Sequence, residues 1–170
     1  MVLRKIALGV NVVLCNEAVL SGEIVIGTNT IVHPRCSILA DTRQIIFGKS
    51  NIIEERSVIR NTSMDTMIIG DENLFEVGSI VEAARIGNQN VFEAKSRVHR
   101  NAIIGNHCVV GVGCVVNEGE KLEDGTVVYG NNLRRVQMSR DTAQTTLHQR
   151  HMEYLRDMLP KYNHLRQVAA

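Results

Sequence analysis

Aliphatic residues recur at every sixth position along most of this chain. The repeat runs from Leu8 to Val128, with two short interruptions and a one-residue deletion. A six-residue period fits neither an amphipathic helix nor an array of hairpins, whereas hexapeptide repeats are typical of a parallel β-helix. We therefore predict an all-β fold built around a parallel β-helix. The repeat positions are Leu8, Leu14, Leu20, Ile26, Val32, Ile38, Phe47, Ile53, Ile59, Ile69, Phe75, Val81, Ile86, Phe92, Val98, Ile104, Val110, Val116, Leu122 and Val128.

A second set of positions lies two residues before the repeat positions and often holds a small side chain. Because residues two apart on a strand share a face, both sets are predicted to point into the β-helix. The second set includes Ala18, Thr30, Cys36, Ser57, Ser79, Ser96, Ala102, Cys108 and Cys114.

Three hexads form one triangular coil, and equivalent segments of successive coils align without gaps. The alignment predicts a stack of glycines at one corner, where a turn needs a backbone without a Cβ. It also predicts a ladder of asparagine amides and a column of serines, within about six full coils and a partial seventh. The glycines are Gly27, Gly48, Gly70, Gly87 and Gly105, the asparagines Asn51, Asn73 and Asn90, and the serines Ser57, Ser79 and Ser96.

Hexapeptide β-helices as a family are left-handed, an exception to the right-handed crossover rule, and the resemblance implies the same hand here. Residues 39–45 (LADTRQI) and 60–67 (RNTSMDTM) interrupt the repeat and are short and polar. We predict that both are loops extruded between coils. They are either functional loops on a rigid scaffold or tolerated surface insertions.

Near the C-terminus the hexapeptide pattern gives way to helical spacing. We predict a β-helix over residues 1–136, a linker over 137–144 and a C-terminal amphipathic α-helix over 145–168, all in one domain. Pro160 is expected to kink or split the helix. The apolar stripe of the helix either packs back along the β-helix or binds a partner. It consists of Leu147, His151, Leu155, Met158, Tyr162 and Leu165.

The formal net charge of +1 argues against a general nucleic-acid or polyanion binder, which would carry a basic excess. No apolar run is long enough to span a bilayer, and the repeat starts so early that we expect no cleaved signal peptide. The cysteines form no C-x-x-C pair, which favours buried thiols in a reducing cytosol over a metal or redox site. They are Cys15, Cys36, Cys108 and Cys114.

Two classes of enzyme use hexapeptide β-helices. In its repeat pattern the chain resembles the gamma-class carbonic anhydrases, which bind zinc between protomers through histidines. The matching positions here hold Arg60, Val77 and Glu82. Since neither arginine nor valine serves as a zinc ligand, we expect no metal site.

Hexapeptide acyltransferases, which the chain resembles through the repeat alone, use a histidine base and bind CoA between protomers. The candidates here are His33, His99 and His107. A general base needs a positioned partner, yet His33 precedes Pro34 at a turn, and His99 and His107 are predicted on different faces. We therefore expect no catalytic residue and no cofactor. A homotrimeric metal- or acyl-handling enzyme is the alternative.

Glu54, Glu76 and Glu93 occupy equivalent positions on three successive coils, about 4.8 Å apart when stacked. Like charges that face each other across strands are destabilising. Either Arg56 and Lys95, two residues further along their own coils, form local ion pairs with these carboxylates, or the acidic column meets a basic partner surface.

Several stretches resemble the dynactin subunit 6 family: FGKSNIIEE, IIGDENLFEVGS, IGNQNVFEAKS, VVYGNNLRRVQ and YLRDMLPKYNHLR. The LRRVQ and LPKYNHL segments lie outside the hexapeptide pattern, so a shared fold alone does not explain them. The resemblance covers almost the whole chain. It implies a non-catalytic subunit of the dynactin pointed-end complex, together with dynactin subunit 5, dynactin subunit 4 and the pointed-end actin-related protein.

The same resemblance implies a cytoplasmic, cytoskeleton-associated protein that helps dynein–dynactin engage cargo for transport along microtubules. The sequence ends with NHLRQVAA, so any regulatory tail of the family is expected to be short or missing.

The end of a β-helix carries unpaired N–H and C=O groups that can template association. We predict that one end or face docks directly against dynactin subunit 5 while the C-terminal helix shields another surface. The reason is that the first coil, residues 6–20, lacks an evident cap. The candidate partner-binding residues are Glu54, Glu76, Glu93, Arg134, Arg135, Leu155 and Tyr162.

Overall fold

The computed structural model describes residues 5–137 and 142–167. Short strands occupy the first of these ranges, and one helix, α1 (Thr142–Tyr162), follows them. The strands are β1 (Ile6–Leu8), β2 (Val13–Leu14), β3 (Val19–Ser21), β4 (Ile24–Ile26), β5 (Ile31–Val32), β6 (Ser37–Ala40), β7 (Ile45–Phe47), β8 (Ile52–Ile53), β9 (Val58–Asn61), β10 (Met67–Ile69), β11 (Leu74–Phe75), β12 (Ile80–Val81), β13 (Arg85–Ile86), β14 (Val91–Phe92), β15 (Arg97–Val98), β16 (Ile103–Ile104), β17 (Val109–Val110), β18 (Val115–Val116), β19 (Lys121–Leu122), β20 (Thr126–Tyr129) and β21 (Leu133–Val136).

The strands stack into three sheets, one on each face of a triangular, left-handed β-helix of about seven turns. Face 1 contains β1, β4, β7, β10, β13, β16 and β19; face 2 contains β2, β5, β8, β11, β14, β17, β20 and β21; face 3 contains β3, β6, β9, β12, β15 and β18. Neighbouring strands pair in parallel except β20 and β21, which are antiparallel. The predicted left-handed parallel β-helix with a C-terminal helix is thereby confirmed. We number the coils 1 to 7 from the N-terminus.

The six-residue repeat lines the interior of the β-helix. Phe75 and Phe92, from neighbouring coils, stack with ring centroids 4.9 Å apart and planes 8° from parallel. Isoleucine and valine fill most of the remaining interior, because β-branched side chains pack well on a pleated surface. The small residues at the second inward positions, such as Ala102 and Cys108, are buried as predicted.

The predicted glycine and asparagine columns lie at the first corner, between faces 1 and 2. A Cβ placed on Gly87 would lie 2.5 Å from the carbonyl oxygen of Gly105 on the next coil. The close approach of successive coils therefore requires glycine here. The Nδ2 group of Asn73 donates to Oδ1 of Asn51 at 3.1 Å, and that of Asn90 donates to Oδ1 of Asn73 at 3.0 Å. The amides form the predicted ladder inside the corner.

The two interruptions of the repeat stack on each other at the third corner, between faces 3 and 1. Strands β6 and β9 pair over four residues, ending with Ala40 opposite Asn61. The Asn61 side chain is 2% exposed, and its Nδ2 donates to the carbonyls of Arg43 and Asp65 at 3.1 and 2.9 Å. The two segments therefore form one hydrogen-bonded corner, where the sequence predicted two separate loops.

Helix α1 runs along face 2 from the last coil towards the first. Its 21 residues span about 31 Å, and the strands of face 2 from β2 to β20 span about 29 Å. The helix begins at Thr142 and ends at Tyr162, inside the predicted end at residue 168. Pro160 lies in its last turn and does not split it, because few hydrogen bonds remain to be broken there.

Candidate functional site

Face 2 carries an unbroken column of outward-facing apolar side chains, which we call the apolar column. Neighbouring members pair in register, for example Val13 with Ile31 and Val91 with Val109. The members are Val13, Ile31, Ile52, Leu74, Val91, Val109 and Val127. A contiguous apolar surface of this kind usually marks an interaction site.

Helix α1 covers the part of the apolar column on coils 1 to 3. Met152, Leu155 and Leu159 are 8%, 7% and 9% exposed and pack against its first three members. Each buried side chain of this size contributes about 1.5–3 kcal/mol. The stripe thus packs back on the β-helix, one of the two predicted alternatives. Its register differs from the prediction, since Leu147 and Tyr162 are 68% and 76% exposed.

Polar side chains of α1 anchor it to carbonyl groups along the first corner. Arg156 donates to the carbonyl oxygens of Asn11 and Asn29 at 2.6 and 3.0 Å. The Nε2 atom of His148 lies 2.8 Å from the carbonyl oxygen of Ser50. Asn11, Asn29 and Ser50 are equivalent residues of coils 1 to 3, all with positive φ. The helix therefore contacts three successive coils in the same way.

The acidic column, Glu54, Glu76 and Glu93, lies at the second corner, between faces 2 and 3. Glu54 accepts a hydrogen bond from the backbone N–H of Val77 at 3.0 Å, and Glu76 accepts one from Ala94 at 2.9 Å. Glu93 makes the equivalent bond to the next coil at 2.9 Å. Each carboxylate thus ties its own coil to the following one, which offsets part of the repulsion between the stacked charges.

Within the described residues, Arg56 and Lys95 form no ion pair with the acidic column, so the proposed local ion pairs are not made. The Nε2 atom of His151 lies 3.9 Å from Oε1 of Glu54, but burial lowers the pKa of His151, which disfavours the charged imidazolium. Burial raises the pKa of Glu54 and of Glu76, although the backbone hydrogen bonds act in the opposite direction.

His33 occupies the position of the acidic column on coil 2. Burial, with a smaller contribution from His151, lowers the pKa of His33 to about 4, so the imidazole is neutral at pH 7. Its Nε2 atom is buried and has no hydrogen-bond partner among the described residues. The second corner thus changes from a neutral histidine to three carboxylates along the β-helix.

A groove of about 990 Å³ lies between the N-terminal half of α1 and coils 4 to 6 of face 2. Its floor consists of Leu74, Val91 and Val109 of the apolar column. All three are half-buried, and Leu74 also packs at the edge of the cluster that α1 covers. Leu147 and Tyr154 of α1 line the opposite wall and are 68% and 59% exposed. The groove combines an apolar floor with acidic edges, because Glu72, Glu76, Glu93 and Asp124 also line it.

The first coil is partly capped, which the sequence did not predict. The segment after α1 returns to β2, where Leu165 forms an antiparallel bridge with Cys15. The backbone N–H of Asn16 donates to the carbonyl of His164 at 2.7 Å. In the described part of the chain, β1 and β3 are the edges of faces 1 and 3 at this end.

The last coil is closed by β21 and by two side chains. Oδ1 of Asn132 accepts the backbone N–H of Val115 at 2.7 Å, and Arg134 donates to the carbonyl of Val115 at 2.9 Å. Arg134 also pairs with Glu120 at 2.8 Å, which lowers the pKa of that carboxyl. The Arg134 side chain is therefore bound within the chain. Arg135 is exposed, and its guanidinium carbon lies 5.7 Å from the ring centroid of Tyr129.

The predicted partner-binding residues lie in three different places: the acidic column, helix α1 and strand β21. Tyr162 and Arg135 are exposed, and the acidic column borders the groove. Leu155 lies between α1 and the sheet, with little surface left for a partner. The groove and the capped first coil were not predicted from the sequence. The members of the apolar column are far apart in the sequence and become neighbours only when the strands of face 2 pair.

Comparison with known proteins assigns the chain to a family. It is 39% identical to dynactin subunit 6 of Nematostella vectensis, over 96% of this chain and 93% of that protein. It is 36% identical to dynactin subunit 6 of Dictyostelium discoideum, over 91% of this chain and 85% of that protein. The chain belongs to the dynactin subunit 6 family. No protein-family model matches it.

Solved structures of low identity share the fold of this dynactin subunit 6 family member. A hexapeptide transferase family protein from Anaplasma phagocytophilum superposes with a TM-score of 0.69 at 15% identity, over 93% of this chain and 98% of that one. A point mutant of AntD, an N-acyltransferase from Bacillus cereus, gives 0.69 at 17% identity, over 87% and 91% of the two chains. At such identities the similarity concerns the β-helix alone.

The positions tested for zinc ligands have other contacts in this family member. Arg60 pairs with Asp41 at 2.5 Å, and the Val77 backbone binds Glu54. In residues 5–137 and 142–167, no group of three or more metal-ligating side chains is placed to hold an ion.

The histidines considered for acyl transfer are separated. His99 follows a strand of face 3, and His107 precedes one of face 2. His33 is the half-buried imidazole of the second corner. The structure does not bring these three residues together as one site.

The four cysteines of this family member are free and buried. Burial raises the pKa of Cys15 to about 11 and that of Cys36 to about 12, which makes these thiols poor nucleophiles. In the described parts of the chain, no helix has the length and apolar character needed to cross a membrane.

Proposed function

We propose that this protein is a non-catalytic structural subunit of dynactin, located in the pointed-end complex. The observation that carries the proposal is its 39% identity to a dynactin subunit 6 over 96% of the chain. This match extends through the segments outside the hexapeptide repeat, so it is more specific than a shared β-helix.

In this proposal the protein binds dynactin subunit 5 directly and assembles with dynactin subunit 4 and the pointed-end actin-related protein. The assembly supports dynein-driven cargo binding and transport along microtubules, in the cytoplasm and in association with the cytoskeleton. The protein contributes rigid surfaces and no catalysis.

The N-terminal end of the β-helix is the proposed contact with subunit 5. At this end β1 and β3 are edge strands, and edge strands offer backbone groups for pairing with another chain. Val19 of β3 is 54% exposed beside this edge. At the other end β21, Asn132 and Arg134 close two of the three sheets, which makes it the less suitable docking end.

Light scattering of the purified chain, alone and mixed with subunit 5, tests the proposal. We expect a one-to-one complex at micromolar concentration and a homogeneous metal-free protein by metal analysis. Two species that stay separate would overturn the direct contact, and a zinc-loaded homotrimer would favour the enzyme alternative.

Two matched variants locate the contact. Val19→Asp places a charge beside the first coil, and Leu133→Asp places one on β21 at the opposite end; the two residues are 54% and 55% exposed. We expect Val19→Asp to weaken the complex at least tenfold and Leu133→Asp to leave it unchanged. The reverse pattern would assign the contact to the C-terminal end.

A further inference from the structure

The chain buries four members of the apolar column and leaves Leu74, Val91 and Val109 half-buried. Helix α1 packs on its members in coils 1 to 3, and Leu74 of coil 4 lies at the edge of that contact. Leu74, Val91 and Val109 form the floor of the groove on coils 4 to 6. The same pleated apolar surface therefore continues beyond the part that α1 buries. Leu147 and Tyr154, both exposed, extend the apolar lining onto the wall.

The groove has a marked excess of negative charge. Among the described residues that line it, Asp124 set aside, four are glutamates and one, Arg150, is an arginine or lysine. Glu76 and Glu93 stand on the side of the second corner, and Glu72 stands on the side of the first corner. An occupant that crosses the floor would have carboxylates on both sides, so charge complementarity calls for a basic occupant.

The contacts of helix α1 show which kinds of side chain bind face 2. Its leucine and methionine side chains lie on the apolar column, and Arg156 and His148 bind carbonyls at the first corner. On the other side, His151 approaches Glu54 of the acidic column. An apolar stripe with an arginine and a histidine on one flank and a histidine on the other is therefore the arrangement that already fits this surface.

Coils 4 and 5 carry equivalent anchoring groups. Glu72 and Gln89 occupy the positions of Asn11, Asn29 and Ser50, again with positive φ. Among the described residues, no side chain of α1 donates a hydrogen bond to their carbonyl oxygens. An incoming arginine can therefore repeat the contact that Arg156 makes on coils 1 and 2.

We propose that the groove binds a basic amphipathic helix of a partner protein. Its apolar residues rest on Leu74, Val91 and Val109, and its arginine or lysine side chains pair with Glu72 and Glu76. The three floor residues are spaced over about 10 Å, close to two turns of an α-helix. This surface is separate from the N-terminal end proposed to contact subunit 5, and binding here does not depend on that contact.

The test uses two synthetic helical peptides and the full chain. The first, a fluorescein-labelled 16-residue peptide, carries leucines at i, i+4, i+7 and i+11 with arginines on both flanks. The second has glutamate in place of every arginine. Fluorescence anisotropy is expected to show binding of the basic peptide that weakens at least tenfold between about 0.05 and 0.5 M salt, and no binding of the acidic peptide.

Two variants of one coil assign the binding to the groove. Val109→Asp places a charge on the floor, and Ile103→Asp places one on face 1, where the side chain is 42% exposed. We expect Val109→Asp to weaken basic-peptide binding at least tenfold and Ile103→Asp to leave it unchanged. Equal effects of the two variants, or equal binding of the two peptides, would overturn the proposal.

Glu72→Lys provides a second variant that does not touch the floor. Lysine suits this corner, because Lys95 adopts a φ of 57° at another corner and Glu72 has the same value. We expect Glu72→Lys to weaken basic-peptide binding about tenfold. Unchanged binding would overturn the proposal, and so would a homodimer in light scattering that Val109→Asp dissociates, because a second copy would then occupy the groove.

Discussion

The backbone N–H of Arg166 donates to the carbonyl oxygen of Leu14 at 2.7 Å, so the segment after α1 forms an edge on the first coil. The Arg166 guanidinium adds bonds to the carbonyls of Asn16 and Ala18 at 2.8 and 2.6 Å. One residue thus binds three carbonyl groups of a coil that precedes it by about 150 positions.

We expect Arg166→Pro to open this edge. Proline lacks the N–H that Leu14 accepts and the guanidinium that binds Ala18. Hydrogen exchange measured by NMR should show at least tenfold faster exchange of the Asn16 amide, which the edge protects. Gln167→Pro, one residue further on, is the control and should leave that amide protected. Equal protection in both variants would show that the edge does not depend on Arg166.

We expect Asn73→Ala to destabilise the β-helix by about 2–5 kcal/mol, because it leaves buried partners on two neighbouring coils unpaired. Asn73 donates to Asn51 and accepts from Asn90. Urea unfolding followed by circular dichroism gives the change. Asn106→Ala removes two exposed contacts, the Asn88 N–H that Oδ1 accepts and the bond from Nδ2 to Asp124, and should cost less than about 1 kcal/mol. A similar small loss for Asn73→Ala would contradict an energetic role for the ladder.

The second corner needs a positive φ on successive coils, and glycine is present on only some of them. Gly78 has a φ of 71°, whereas Arg56 and Lys95, its equivalents on neighbouring coils, have 57°. Because left-handed backbone is unfavourable for residues with a Cβ, we expect Arg56→Gly to stabilise the protein by up to about 1 kcal/mol and Gly78→Ala to destabilise it by about 1 kcal/mol. Thermal unfolding measures both, and opposite signs would refute the strain argument.

His33 gives the stability a pH dependence with a defined sign. Its pKa is about 4 in the folded state and about 6.5 in the unfolded state, so the unfolded chain binds more protons between these values. Stability from this group is therefore complete above pH 6.5 and is lost as the pH falls towards 4, by at most about 3 kcal/mol. The raised pKa of Glu54 acts with the opposite sign, and the lowered pKa of His151 with the same sign.

A comparison with His33→Gln isolates this contribution. Urea unfolding at pH 7.5 and pH 4.5 should show a smaller stability loss for the variant than for the natural chain, since glutamine does not titrate. The same loss in both proteins would assign the pH dependence to other groups.

The sequence predicted the coils well because their period is local and exact from one hexad to the next. Leu14, Phe47 and Val116 could be assigned to the interior from spacing alone, and all three are buried. The asparagine ladder followed from alignment, since equivalent residues of parallel coils must stack. These features depend on neighbours one coil away in the chain, 22 and 17 residues for the two bonds of the asparagine ladder.

Features that depend on distant segments could not be predicted in this way. The contact of Leu165 with Cys15 joins residues 150 positions apart, and no repeat relates them. The orientation of α1 about its axis decides that Met152 is buried and Leu147 exposed, although both belong to apolar positions of one helix. The groove follows from that same placement, so the sequence contained its residues without their arrangement.

The return of the chain from coil 7 to coil 1 has a mechanical consequence. An open stack of coils can peel from either end, one coil at a time, because each coil contacts only its neighbours. Here α1 and the bridge at Cys15 connect the last coil to the first, so a force that pulls the two ends apart along the axis must first detach this strap. The protein is therefore expected to resist axial load as one unit.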